Sequence, residues 1–204
     1  MGLQKLKGAH PDELTILPLD VADPVSVRRC RELVGEQTRS LDLLINNAGA
    51  YSTPPGSPDD PGLSQTLGHL EMKEALGFFQ VNAVGALLVA QEHLDLLQGG
   101  QNPKIVSLSS GYGSITSNTS GFPYHYSASK AALNMYMRSL AADLKPRGVT
   151  VAVLDPGWVR TDMGGPDATL APERSVKGMI RVIDKLRLKN TSRFLTWEGK
   201  KEPW

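Results

Sequence analysis

Leu41-Asp42-Leu43-Leu44-Ile45-Asn46-Asn47-Ala48-Gly49 is an apolar run closed by two amides and a glycine. Its first part is apolar on both faces, the mark of a strand covered on each side. Similar runs recur at 105–108, ending in Ser109-Ser110-Gly111, and at 149–154, ending in Asp155-Pro156-Gly157. Residues 14–19 read as a further strand ahead of Asp20, and Phe194-Leu195 add a short last one. Helical patterns fill the intervals. Asp23-Pro24 is an N-cap followed by proline at the first helical position, and Val27, Cys30 and Val34 then share one side. Residues 71–97 form a long helical stretch with Phe79, Ala83, Ala86 and Ala90 roughly along one side. Another helix spans 125–144 and stops before Pro146 and Gly148; a last one starts near Pro172 and runs to about Leu188. Buried strands alternating with helices predict an open, parallel α/β sheet. No internal repeat is present, residues 53–64 read as a Pro-, Gly- and Asp-rich loop insertion, and 1–204 is expected to form one domain.

Composition narrows the function classes. Lys plus Arg number 22 and Asp plus Glu 21, so the net charge of +1 gives no electrostatic reason to expect nucleic acid or an anionic membrane. The single cysteine, Cys30, cannot form an internal disulfide and is expected in the core. No apolar stretch is expected to reach the ~20 residues of a bilayer span, and the start carries no signal-peptide core, so the expected location is cytoplasmic. The four histidines show no ligand spacing, so no metal site is expected.

In such a sheet, ligands bind at the carboxyl ends of the strands. Asp20, residues 46–49, 109–113 and 156–161 all belong to that rim. Tyr126 and Lys130 are four residues apart on a predicted helix and share a face. A phenol, with an ordinary pKa of ~10, shuttles protons poorly at neutral pH; a nearby ammonium favours the phenolate. Tyr-x-x-x-Lys alone is common on helix surfaces and carries little.

Taken together with Asn46-Asn47-Ala48-Gly49, Asn82, Ser109-Ser110 after a strand, and Pro156-Gly157-Trp158-Val159-Arg160-Thr161, the chain resembles the short-chain dehydrogenase/reductases. Residues 109–134, 161–165 and the Pro203-Trp204 ending are similar to the C-factor-like and sniffer-like carbonyl reductases of that family. The resemblance implies a Rossmann-like, doubly wound sheet and reduction of a ketone, aldehyde or quinone. It implies NADP as cofactor, with NAD left open, and a small carbonyl substrate. Tyr126 would exchange the proton with the substrate oxygen. Lys130 would hold the nicotinamide ribose and depress the tyrosine pKa. Ser110 would bind the substrate oxygen, and Asn82 would anchor a water-linked proton path to Lys130. Asp20 and Val21 would meet the adenine, while Asn47, Ala48 and Gly49 would line the adenosine ribose. Pro156, Gly157, Val159 and Thr161 would contact the nicotinamide. Each residue also has a plainer reading: Ser109 and Ser114 are alternative hydroxyls, Asn82 could satisfy a backbone group, and Asp20 could be a loop acid. Tyr112, Ile115, Phe122, Trp158 and Met163 flank the site and suggest an apolar pocket, though core packing would use the same residue types.

The family pattern normally opens with a strand, a glycine-rich turn, a helix and a second strand, and no G-x-G-x-x-G occurs in this sequence. The sheet is therefore expected to lack its first βαβ unit, with two strands missing between 14–19 and 41–45. The 204-residue chain is then expected to bind the dinucleotide weakly or not at all and to show negligible reductase activity. An alternative role follows, in which a catalytically inactive form acts through a full-length partner. The long helices resemble the family's dimer and tetramer interfaces, which implies a homo-oligomer in the full-length form.

Overall fold

The computed structural model describes residues 2–51 and 65–204; the loop read at 53–64 lies outside the described residues. The chain opens with a short helix that the sequence pattern did not predict, α1 (Leu3–Ala9), which buries no residue. Among the described residues four strands follow: β1 (Leu43–Asn46), β2 (Lys104–Leu108), β3 (Thr150–Asp155) and β4 (Arg193–Thr196). They form one parallel sheet in the order β1-β2-β3-β4.

Helix α2 (Pro24–Gln37) starts where expected, with the Asp23 carboxylate accepting the Val25 N–H at 2.9 Å. Its apolar stripe buries Val27 and Cys30. The predicted 71–97 helix is broken into α3 (Met72–Phe79), a π-helical turn at Gln80–Gly85, α4 (Ala86–Glu92) and α5 (Leu94–Gln98). The π turn inserts one residue into the helical repeat. The inward position therefore falls five residues before Ala83, on buried Phe78, and the half-buried Phe79 is displaced from the expected stripe. Helices α6 (Tyr124–Leu144) and α7 (Pro172–Lys185) match the prediction to within a few residues.

Strand alternation sorts the core into two layers. Val151 and Val153 pack with Ala83, Ala90, Leu133, Met137 and Ala141 on the α4–α6 side. Ala152 and Leu154 pack with Met179, Val182 and Ile183 of α7 on the other. Each fully buried Val, Leu, Ile or Met among them contributes ~1.5–3 kcal/mol, and helices on both faces give the doubly wound arrangement.

Two expectations need correction. Residues 14–19 are not a strand, although their backbone was predicted to pair. An apolar run becomes a strand only by sharing a ladder, and β1 forms its ladder with β2, while no described strand lies on its other side. The helical run Met72–Glu92 also has, by length and a mean hydropathy of 1.2, the composition of a bilayer span. Phe78, Asn82, Ala83, Ala86, Val89 and Ala90 of that run are nevertheless buried inside the fold, where Asn82 is hydrogen-bonded. It is a core helix.

Candidate active site

The site grows from the carboxyl ends of β1, β2 and β3, over the first turns of α6. Tyr126 and Lys130 lie one turn apart on α6 and are both buried. Lys130 Nζ donates to the Leu108 carbonyl at 2.9 Å and lies 5.7 Å from the Tyr126 ring centroid. Ser110, just past β2, accepts the Tyr112 N–H at 3.2 Å, and its hydroxyl lies close enough to the Tyr126 phenol to favour the phenolate. Of the alternative hydroxyls, Ser114 Oγ accepts the Ser117 N–H at 3.1 Å, and Ser109 Oγ is buried without a hydrogen-bond partner. Ser110 is the serine that meets the phenol.

Asn82 sits in the π turn, and its side chain makes three hydrogen bonds. Oδ1 accepts the Ala50 N–H at 2.7 Å; Nδ2 donates to the Ala50 carbonyl at 2.8 Å and to Ser129 Oγ at 2.9 Å. The carboxamide thus fastens the end of the 47–50 loop beside the catalytic helix. A Cβ on Gly49 would lie 3.5 Å from both Asn82 Oδ1 and Lys130 Nζ, so a side chain there would fill the space above the ammonium. Asn82→Leu keeps the volume but leaves Ala50 and Ser129 without these partners. It is expected to cost about 1–3 kcal/mol, read as a lower urea midpoint with an unchanged m-value.

Burial pushes the Tyr126 phenol up to about 12; the Ser110 hydroxyl opposes this, and the Asp155, Tyr51 and Tyr112 side chains add to it. Burial pulls Lys130 down to about 8. The expected depression of the phenol by Lys130 is not seen in the chain alone. The ammonium is directed at the Leu108 carbonyl, and burial of the ring dominates.

Asp155, at the end of β3, was not singled out in the sequence, although the strand-end rule that selected Ser110 covers it. Its Oδ1 accepts the Gly157 N–H at 3.0 Å, and its carboxylate lies close to Gly111. It thus stands between the Ser110 loop and the Pro156-Gly157 turn, and burial raises its pKa. Two further neighbours had no usable sequence signal. Tyr51 packs edge-on against Tyr126 with centroids 4.9 Å apart, and Gln65 Oε1 accepts the Tyr126 N–H at 2.9 Å.

The remaining predicted residues line the same rim. Gly157 has φ +80, and a Cβ there would meet Leu170 Cδ2 at 2.9 Å and Trp197 at 3.0 Å. That turn requires glycine. The Pro156 carbonyl accepts from Ser175 Oγ at 2.6 Å, Val159 bridges to Leu170, and Thr161 Oγ1 accepts the Gly164 N–H at 3.1 Å. Asp20 is exposed, and its Oδ1 caps the Ala22 N–H at 2.9 Å. Val21 packs on the π turn, since a Cβ on Gly85 would lie 2.7 Å from the Val21 carbonyl. Asn47 and Ala48 are exposed after β1, whereas the neighbouring Asn46 is buried and bonded to Ala86 O and Ser107 Oγ at 3.2 and 3.1 Å. Tyr112, Ile115 and Phe122 line a cleft of about 350 Å³ beside α6; Tyr112 faces Tyr126 with centroids 6.2 Å apart. Trp158 and Met163 are exposed on the loop after β3, where the indole donates to the Gly164 carbonyl at 2.8 Å. His125 turns away from Tyr126 toward Phe78, 6.1 Å between ring centroids.

Chemically, the rim offers a protonated phenol with a hydroxyl beside it, an ammonium beneath them, a gap at Gly49 and a closely packed glycine turn at Gly157. The nicotinamide-ribose end of a dinucleotide fits this arrangement, because the Gly49 gap opens above Lys130. The described residues contain no glycine-rich phosphate turn.

Comparison with known proteins agrees with this geometry. A family model described as short chain dehydrogenase matches residues 2–169. The C-signal of Myxococcus xanthus is 42% identical over 167 residues, which cover 82% of this chain and 95% of that protein, so that relative is shorter than this chain. An NADPH-bound carbonyl reductase from chicken fatty liver superposes with a TM-score of 0.88 at 34% identity, covering 99% of this chain and 81% of that one. The carbonyl reductase Sniffer of D. melanogaster superposes with a TM-score of 0.88 at 30% identity, covering 99% and 82%. With the matched fold, the Tyr126–Lys130 pair and the Ser110 contact in place, the chain belongs to the short-chain dehydrogenase family.

Proposed function

We propose that the rim reduces the carbonyl of a ketone, aldehyde or quinone with NADPH. The observation that carries this is the placement of the Ser110 hydroxyl close to the Tyr126 phenol, beside the buried Lys130 ammonium. Two hydroxyls so placed can both reach a single carbonyl oxygen. The reductant supplies the hydride. Tyr126, protonated well above neutral pH, gives the oxygen its proton, and Ser110 holds the charge developing there. Lys130 stands close enough to support the phenolate left behind, and Asn82, on the same side of Gly49, positions a water that can return the proton. Lys130, Asn47, Ala48, Gly49, Pro156, Gly157, Val159 and Thr161 would hold the cofactor, with Asp20 and Val21 at its far end. Tyr112, Ile115 and Phe122 give the mouth an apolar wall suited to an uncharged substrate. NADPH is favoured because the chicken carbonyl reductase and a reductase from Pseudomonas aeruginosa are bound to NADPH or NADP.

Two measurements test the reading. NADPH consumption with a panel of aldehydes, ketones and quinones should show turnover. In addition, NADPH should slow tryptic cleavage after Arg160, within the exposed turn that follows Pro156-Gly157. Protection confined to α1 would contradict the placement.

A second reading is association with another chain. Leu43 and Ile45 of β1 are 39% and 46% exposed, with no described strand beside them, and the C-signal shows that short relatives occur. Light scattering separates the two: a monomer that turns over NADPH supports the enzyme, and an inactive oligomer supports association.

A further inference from the structure

The outer face of α7 carries charge that carbonyl reduction does not use. Residues 172–201 hold nine Lys or Arg against three Asp or Glu, a net +6 in a chain of net +1, so the other residues together carry −5. Charge that looks balanced along the sequence is segregated in the fold. Arg174, Lys177, Arg181 and Lys185 recur every three or four residues and fall on one side of α7. Like charges at that spacing cost a helix a few tenths of a kcal/mol per pair.

With Arg193 of β4, these four line a cleft of about 610 Å³, walled by Val182, Leu186, Leu195 and Trp197. That volume is typical of small-molecule sites. None of the five cations forms an ion pair with a described residue. Glu198, the acid lining the cleft, is 2.7 Å from Lys200 Nζ. The Arg174 guanidinium lies 5.4 Å from the Trp197 ring centroid, which holds it at the cleft wall. Gly178 lets α7 close on that indole, because a Cβ there would lie 2.4 Å from the ring. The cleft is thus a built concavity lined by five cations that no described carboxylate neutralises. From Arg174 to Lys185 the stripe extends roughly 16 Å along the helix, too long for one phosphate to engage.

We propose that the α7–β4 cleft binds an oligophosphate, a ligand with two or more phosphate groups in series. Arg forks take phosphate oxygens two at a time, and Lys adds point charges between them. This site is separate from the Tyr126 rim and stands or falls independently of the carbonyl chemistry.

Sodium tripolyphosphate titrated calorimetrically into the chain tests the proposal. Saturable binding that weakens steeply with NaCl is expected. Arg181→Glu with Lys185→Glu should weaken it on the order of tenfold or more. Arg28→Glu with Lys73→Glu changes the net charge equally but lies elsewhere, and should leave binding within about twofold. Arg181→Gln with Lys185→Gln provides the milder pair if the reversed one melts without cooperativity. A second arm uses phosphatidylcholine vesicles with and without phosphatidylinositol bisphosphate. Co-sedimentation that tripolyphosphate competes away identifies a lipid headgroup as the source; tripolyphosphate binding without co-sedimentation identifies a soluble one. Absence of tripolyphosphate binding, or equal loss in the α7 pair and the control pair, overturns the proposal.

Discussion

Tyr126→Phe is expected to lower turnover by about 10² or more while leaving the melting temperature nearly unchanged. The ring stays packed between Tyr51 and Tyr112, so the substitution removes one hydroxyl and its contact with Ser110. Burial holds that phenol protonated up to about 12, so the loss should be the same at every pH below that value. Michaelis constants for NADPH should change little, because Lys130 and the Gly157 turn are untouched. The measurement is NADPH oxidation with a carbonyl substrate, with the unsubstituted chain and the variant compared side by side. Near-normal turnover by the phenylalanine variant would remove Tyr126 from the chemistry.

Lys130→Met should abolish turnover and, unusually for a catalytic position, stabilise the chain. Burial lowers the Lys130 pKa from its ordinary 10.5 to about 8. The folded state therefore disfavours the charged form by about 3 kcal/mol at neutral pH, at ~1.4 kcal/mol per tenfold. The penalty is present in full below pH 8. It fades as pH rises from about 8 toward 10.5, where the unfolded chain also loses its proton. Methionine has no charge to bury, but it gives up a charge-assisted hydrogen bond to Leu108, worth about 1.5–3 kcal/mol. A net gain of up to about 1.5 kcal/mol near pH 7, shrinking toward pH 10, is expected from urea unfolding across that range. A destabilised variant at pH 7 would mean that the ammonium is better solvated than its burial indicates.

Much of the fold could be read before the structure, for a simple reason. Residues 105–108 and 151–154 are largely apolar on both faces because both faces are covered, and the apolar run at 43–45 has the same character although Leu43 and Ile45 stay exposed, so the parallel sheet was visible locally. Tyr126 and Lys130 were visible together because helical spacing alone sets their relation. What the sequence hid depends on partners. Residues 14–19 have the composition of a strand, but strand formation needs a neighbouring ladder. The π turn at Gln80–Gly85 left no local mark, yet it moved the buried aromatic from Phe79 to Phe78 and aimed Asn82 at Ala50. Tyr51 and Gln65 reach Tyr126 from across the fold, and no spacing rule reports such contacts. The balance of 22 cations against 21 anions concealed the basic face of α7, because a net charge carries no information about position.

The two edges of the sheet are finished differently. Beyond β4 the chain folds back, with Thr196 N–H bonded to Lys200 O at 2.8 Å and Glu202 N–H to Phe194 O at 3.0 Å. Trp204 then packs on Phe194 with centroids 5.6 Å apart. At β1 no described strand provides such a cover. Hydrogen exchange should therefore be graded across the sheet, slowest in β2 and β3, intermediate in β4 and fastest in β1, where alternate amides face away from β2. Local opening would begin at that side, immediately beside Asn47, Ala48 and Gly49. The loop expected to meet the adenosine ribose is thus carried by the least protected strand, and a ligand that orders this loop would register first as slowed exchange in β1.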